Sequence, residues 1–489
     1  MLAPVKVVPP WTGPALRRNM AAIGKHGQAR SAKSKCPRFQ GNPADQRQQA
    51  DGSNPDGDAY RGCGLAVGPG AWISVRGRDS VTRWCGCGDN GTDRVGGDRP
   101  RLAVLAGAGV PGADGLCAQA LEVARGWSPP GAPRSWRLTA ALFEAIASHD
   151  GLLDRLAALP ADRLPALLGS AAIAFLVRRD RPVPLAGYFP EHGAAQPRFD
   201  EGFFPAFRAF CAERLDDIAE LCQGRRYQMN EVARCTQIAV GIAAASAGSA
   251  GPVALVDLGT GAGLGLQLDR YRYRFGTGTY GPAEASLTLA CEIRGPVAPP
   301  PASLPPVITR VGVDLDPVDL ADPEARAWLQ ACAPPEASAL SRLAAAVDIA
   351  RRHPATIIAG DIIDVLPRVL AGIPAQQRII VADAYTAVFL PEQRRAELAA
   401  LLAEVGQRRP VTWLSLDPLV PLGPAGRDSV QGLPLPSALI RDYQRGGVFA
   451  VLGARTFDRA SDRSRLLARA HPSGQWIEWL SPRASASPR

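Results

Sequence analysis

The stretch Val256-Asp257-Leu258-Gly259-Thr260-Gly261-Ala262-Gly263 sets an acid two residues ahead of three glycines at alternate positions. Glycines let a backbone turn sharply and approach a ligand with no Cβ in the way. The spacing predicts a helix from Leu264, whose free N–H groups and positive dipole end would suit a carboxylate or phosphate. The dinucleotide fingerprint Gly-x-Gly-x-x-Gly is not met, because Leu264 or Leu266 stands where its last glycine should be. Three later apolar runs also end in acids: Gly312-Val313-Asp314, Gly360-Asp361 and Asp383-Ala384-Tyr385. A ligand at the carboxyl ends of parallel strands would meet all four. Each acid alone reads as readily as an N-cap, and a magnesium-binding carboxylate cluster is a rival reading of the set. Asn230 and Arg234 fall one turn apart on a helix, as a solvated helix start or as a polar face over a neighbouring site. Arg270, Arg272 and Arg274 alternate with Tyr271 and Tyr273, and face either an anionic substrate or solvent.

The elements that must hold these residues are legible in outline. Across 251–489, short apolar runs (PVALVDLG, TRVGVDLD, TIIAGD, RIIVADA, VTWLSLD) alternate with amphipathic stretches such as SALSRLAAAVDIARR. That alternation predicts an α/β fold with a doubly wound, mostly parallel sheet covered on both faces. The runs VFAVLGARTF and QWIEWL predict an antiparallel pair closing one edge, and 271–307 reads as an inserted hairpin plus linker. Apolar residues at three- and four-residue steps predict a helical cap domain over 131–250. Residues 1–130 hold 21 of the 50 glycines, with 17 Lys and Arg against 10 Asp and Glu, and read as a disordered or low-complexity segment. The composition break near Trp127–Pro133 raises the expectation that this segment stems from an early start codon. Within it, Gly107-x-Gly109-x-x-Gly112 imitates a dinucleotide loop, but Pro111 interrupts it and no second strand follows.

Composition excludes several functions. All four lysines precede residue 36, so the rest of the chain has no Schiff-base, phosphate-loop or kinase lysine. Residues 1–130 carry most of the formal charge of +9, and no nucleic-acid module is recognised. Cys211, Cys222, Cys235, Cys291 and Cys332 show no paired spacing and read as small buried hydrophobes. Cys85-Gly86-Cys87 has no second pair, and the five histidines are scattered, so no metal is expected. No apolar run is long enough to span a bilayer and no secretory signal is evident, so the expectation is a cytoplasmic protein without a membrane partner.

The Asp-x-Gly-x-Gly-x-Gly loop resembles motif I of class I S-adenosylmethionine-dependent methyltransferases. The resemblance implies a methyltransferase-like Rossmann fold with S-adenosylmethionine as cofactor. Asp257, Gly259, Gly261 and Gly263 would border its methionine end, Asp314 its ribose hydroxyls and Asp361 its adenine amine. Asp383 and Tyr385 would then stand nearest the methyl group and act as catalytic residues. A second resemblance covers about Arg137 to Leu480. Tyr188-Phe-Pro, Asn230-Glu-Val-Ala-Arg-Cys, Cys291-Glu-Ile-Arg-Gly, Trp413-Leu-Ser-Leu and Ala470-His-Pro-Ser-Gly-Gln-Trp-Ile-Glu-Trp-Leu are similar to the bacterial proteins catalogued as domain of unknown function 2332. Its members often place a histidine near Tyr385, and none stands there in this sequence. Together these imply methyl transfer to a small or medium-sized acceptor contacted by Asn230, Arg234, Arg270 and Arg272. The alternative is a non-catalytic binding or interaction module on the same fold. The oligomeric state is left open.

Overall fold

The computed structural model describes residues 112–480, apart from 129–131, 192, 248–250, 302, 419–428, 431–432, 446 and 460. The expected disorder of residues 1–111, with Cys85, Cys87 and the loop at Gly107 and Gly109, lies outside the described residues. Five helices come first: α1 (Ala113–Gly126), α2 (Arg137–Ala147), α3 (Asp150–Ala157), α4 (Pro165–Arg179) and α5 (Phe203–Gly224). Their apolar faces meet in one core that includes Leu142, Ile146, Leu152, Leu168, Phe203 and Phe207. α1 corrects the reading of 1–130 as unpacked throughout. Leu116, Ala120 and Ala124 recur at four-residue steps, and the helix buries that stripe against α2 and α3.

α6 (Cys235–Ser246) is buried on almost every side and packs on the sheet. The strands and helices that follow are β1 (Val253–Leu258), β2 (Arg272–Phe275), β3 (Gly278–Tyr280), β4 (Thr288–Arg294), β5 (Val307–Asp314), α7 (Pro323–Cys332), α8 (Ala337–Arg352), β6 (Thr356–Ala359), α9 (Ile362–Ala371), β7 (Arg378–Ala384), α10 (Glu392–Gly406) and β8 (Val411–Pro418). After them come the two-residue strands β9 (Ser429–Val430) and β10 (Leu433–Pro434), then α11 (Ser437–Gln444), β11 (Ala450–Asp458), β12 (Ser461–Ala470) and β13 (Trp476–Trp479). α7 sends Trp328 into the helical core, where it meets α4.

One mixed, mostly parallel sheet of 11 strands runs in the order β3-β2-β4-β13-β12-β11-β8-β7-β1-β5-β6. Its Rossmann-like half is the parallel run β8-β7-β1-β5-β6. α6 and α8 cover one face and α9 and α10 the other, so β1 and β7 are near-continuous apolar runs. Strand order reverses on either side of β1, which puts the switch point, where such sheets bind ligands, at the carboxyl ends of β1, β5 and β7.

The expected edge differs. VFAVLGARTF pairs with β12, not with QWIEWL, and QWIEWL is a third strand lying between β12 and β4. The insertion does form an antiparallel pair, β2 with β3, but β4 runs parallel to both β2 and β13, so the insertion extends the sheet beyond QWIEWL.

Candidate functional site

The glycine loop leaves β1 at the switch point. Gly259, Gly261 and Gly263 all adopt the left-handed backbone that favours glycine. The space above them is filled by the protein itself. A Cβ at Gly261 would lie 2.7 Å from Asn230 Oδ1, and one at Gly259 would lie 2.1 Å from Thr386 Oγ1. Asn230 Oδ1 also accepts from the Ala262 N–H at 3.2 Å. The expected helix after the loop is a short 3₁₀ helix of 6 residues, Gly265–Arg270. Tyr271 donates to the Leu264 carbonyl at 2.8 Å and Tyr273 donates to that of Leu268, so the tyrosines of the Arg-Tyr alternation turn inward and fasten this turn. So short a turn lacks the summed dipole of an α-helix, and the anion site predicted at Leu264 loses its physical basis.

The acids at the strand ends divide. Asp257 is largely buried and accepts from the Thr260 hydroxyl at 2.7 Å, with no cation paired to it among the described residues. Burial pushes its carboxyl up to about 7; the nearby Asp314 adds to the rise and the Thr260 bond opposes it. Asp314 accepts from the Gly261 N–H at 2.8 Å on one oxygen and from the Asp316 N–H at 2.9 Å on the other, so it braces the loop. Asp361 is the N-cap of α9, accepting from Ile363 N–H at 2.8 Å, and is paired with Arg394. Asp383 is 1% exposed, with Trp413 Nε1 donating at 2.7 Å and the Ala387 N–H at 3.1 Å, and its carboxylate is turned into the core below β7 and β8. Arg270 is bonded to Gln267, Arg272 to the Pro282 carbonyl, and neither borders the cavities described next.

Two adjoining cavities lie at the same sheet edge. The smaller, about 70 Å³, touches Asp257, Gly259 and Thr260. The larger, about 320 Å³, lies between the helical layer and the sheet, with Trp136 and Leu142 on one side and Tyr385 and His471 on the other. Met229, Asn230, Glu231, Val232 and Arg234 wall both. Arg234 is only 7% exposed. Its Nε donates to the Pro472 carbonyl at 2.7 Å, its Nη2 reaches Met229 Sδ at 3.0 Å, and its guanidinium lies 3.7 Å from the centre of the Tyr385 ring. Tyr385 itself holds a left-handed φ of 66°, a strain of about 1 kcal/mol of the kind that clusters at working sites. Burial raises its hydroxyl pKa further, which keeps it protonated, and that hydroxyl has no hydrogen-bond partner among the described residues.

The structure therefore brings Asn230, Arg234, Tyr385, Asp257 and Gly259 onto the walls of the two cavities, and leaves Gly261, Gly263, Asp314, Asp361, Asp383, Arg270 and Arg272 outside them. Sequence reasoning missed His471 as a site residue. Its Nδ1 accepts from the Ser473 N–H at 3.1 Å, which assigns the proton to Nε2, and burial, with Arg294 and Arg234 nearby, pushes its pKa down to about 4. The run Ala470-His471-Pro472-Ser473-Gly474 carries the signal, since Pro and Gly flank a lone histidine between two strands. The body's cysteines are inert: burial pushes the thiols of Cys211, Cys222, Cys291 and Cys332 up to about 12. Among the described residues no group of His, Cys, Asp and Glu could hold a metal ion, and no helix is long and apolar enough to cross a membrane.

A family model described as "Uncharacterized protein conserved in bacteria (DUF2332)" matches residues 131–479. No curated protein matches the chain.

Proposed function

This chain belongs to the DUF2332 family, and from that premise we propose that it binds a small, mostly apolar molecule between its helical layer and the carboxyl edge of its sheet. The observation that carries the reading is the cavity of about 320 Å³ at the switch point. It is within the roughly 300–1,000 Å³ of small-molecule sites, which are apolar with a few polar groups placed among the hydrophobes. Its wall has that character: Leu142, Phe143 and Phe449 supply apolar surface, and Arg234 and Tyr385 the polar groups. The helical layer covers this edge of the sheet, and the sheet presents the strained Tyr385 to whatever is held.

Methyl transfer from S-adenosylmethionine is the second reading, and Asp257 favours it. A buried carboxylate without a cation suits the ammonium at the cofactor's methionine end. The other contact points do not fit the cofactor. Both Asp314 oxygens hold backbone N–H groups, Asn230 lies over Gly261, and Asp361 and Asp383 are committed to Arg394 and Trp413. What the cofactor would supply is an already activated methyl group; the chain's own part would be to orient the acceptor and keep water out.

One calorimetric titration of the full chain separates the two. The neutral naphthalene dye prodan is expected to bind, and to lose most of its affinity in Ala339→Phe, which fills the larger cavity. No prodan binding by the folded wild type would sink the cavity reading. S-adenosylmethionine binding that disappears in Asp257→Asn would promote the second reading over the first.

A further inference from the structure

We propose that the ligand of the larger cavity is a monoanion with an apolar body, held by its carboxylate on Arg234. The proposal rests on that cavity being a ligand site. Arg234 is a buried guanidinium, and no carboxylate lies within ion-pair distance of it among the described residues. The acids that share its wall are already engaged. Glu231 accepts from the Ala233 N–H at 3.0 Å and lies 3.5 Å from Arg342, while Glu122 is paired with Arg125. A buried charge of this kind is costly unless paired. The Tyr385 ring and the Pro472 carbonyl offset only part of that cost.

The rest of the wall points the same way. The hydroxyls of Thr139, Tyr385 and Tyr443 are buried without a partner among the described residues, and all three residues line the cavity. Hydroxyls and a guanidinium can all donate, and the apolar stretches of the wall beside them offer no acceptor. His471 is held neutral, so it adds no second positive charge. A single cation calls for a single negative charge. A dianionic phosphate would leave one charge unbalanced in an apolar enclosure. The planar fork of the guanidinium matches the two oxygens of a carboxylate. Leu142, Phe143, Leu343 and Phe449 leave room for a hydrocarbon or aromatic body and give it nothing polar to meet.

The test titrates the full chain with octanoate, 1-octanol and octyl phosphate. Octanoate is expected to bind at least about tenfold more tightly than 1-octanol, because a buried charged donor is left bare by the alcohol. In Arg234→Met that margin should vanish while 1-octanol affinity holds. Tyr385→Phe, which removes one hydroxyl and no charge, should weaken octanoate about threefold and leave 1-octanol alone; it keeps the proposal testable if Arg234→Met does not fold. Equal affinity for octanoate and 1-octanol, or tightest binding of octyl phosphate, overturns the carboxylate anchor and leaves the cavity reading standing. Binding of none of the three overturns both.

Discussion

Around the glycine loop nearly every polar side chain meets a partner from the protein. Thr260 serves Asp257, Asp314 takes two backbone N–H groups, and Asn230 covers Gly261 and holds Ala262. In the adjoining cavity the reverse holds: among the described residues Arg234 has no acid, and the hydroxyls of Thr139, Tyr385 and Tyr443 have no acceptor. The loop carries the sequence features that advertise a site, yet its geometry is that of a brace. The cavity is assembled from α1, α2, α4, α8, the 227–234 segment, the end of β7, α11 and the segment after β12, and it is where donors are left over. A motif tells where a backbone is forced; unsatisfied polar atoms tell where something else is expected to arrive.

Asp257 is the one group that blurs this division, and its substitution should have the largest effect. Its folded carboxyl keeps a proton up to about 7, whereas the unfolded one loses it near 3.8. Between those values the folded chain binds the extra proton, so this group lowers stability as pH rises, by about 1.4 kcal/mol per unit. In Asp257→Asn that slope is removed. Relative to wild type the variant should gain up to about 4 kcal/mol between pH 4 and pH 8 in urea unfolding. A difference that stays constant with pH would place Asp257 with the satisfied acids.

Gly261→Ala probes the brace. The left-handed φ of 55° and the close approach of Asn230 should together cost about 2–3 kcal/mol. In an Asn230→Ala background the cost should drop to about 1 kcal/mol, the backbone part alone, as a double-mutant cycle would read it. Additive costs would mean that the glycine answers to something other than Asn230.

The smallest effect sets the two regions side by side with one chemical edit. Thr260→Val should cost about 1–2 kcal/mol because Asp257 loses its donor, while Thr139→Val should be neutral or gain a few tenths of a kcal/mol, having no bond to lose. Thermal melts of the two variants read the contrast directly, and equal losses would erase it.

Much of the positioning frame was legible in the sequence. Strands β1, β7 and β8 are short apolar runs, and burial on both faces is what makes them so; β5 and β6 read as apolar runs too, although they lie partly exposed toward the sheet's edge. Asn230 and Arg234 were legible as a pair from their spacing but not through the shared helix it suggested: Asn230 lies in irregular chain ahead of the 3₁₀ turn Val232–Arg234, and the two meet at the cavity walls instead. Other parts were hidden for physical reasons. β12 reads SDRSRLLARA, and its arginines and serines resemble a solvated loop because only its second half is buried. The seating of β4 between β2 and β13 joins segments far apart in the chain, and no local pattern records such a pairing. His471 comes from a turn, where a lone histidine carries no periodicity. The roles of Asp361 and Asp383 could not be told from spacing, since an N-cap, a core brace and a ligand contact all place an acid at a strand end.

β13 is four residues long, and the sheet is continuous only because it pairs with β12 on one side and β4 on the other. During synthesis, therefore, β2, β3 and β4 leave the ribosome as a half-made ribbon. They wait, one edge uncovered, until Trp476–Trp479 has been translated. The nascent chain thus carries an open hydrogen-bonding edge while residues 295–475 are made, and the last of the described strands is the seam that closes it.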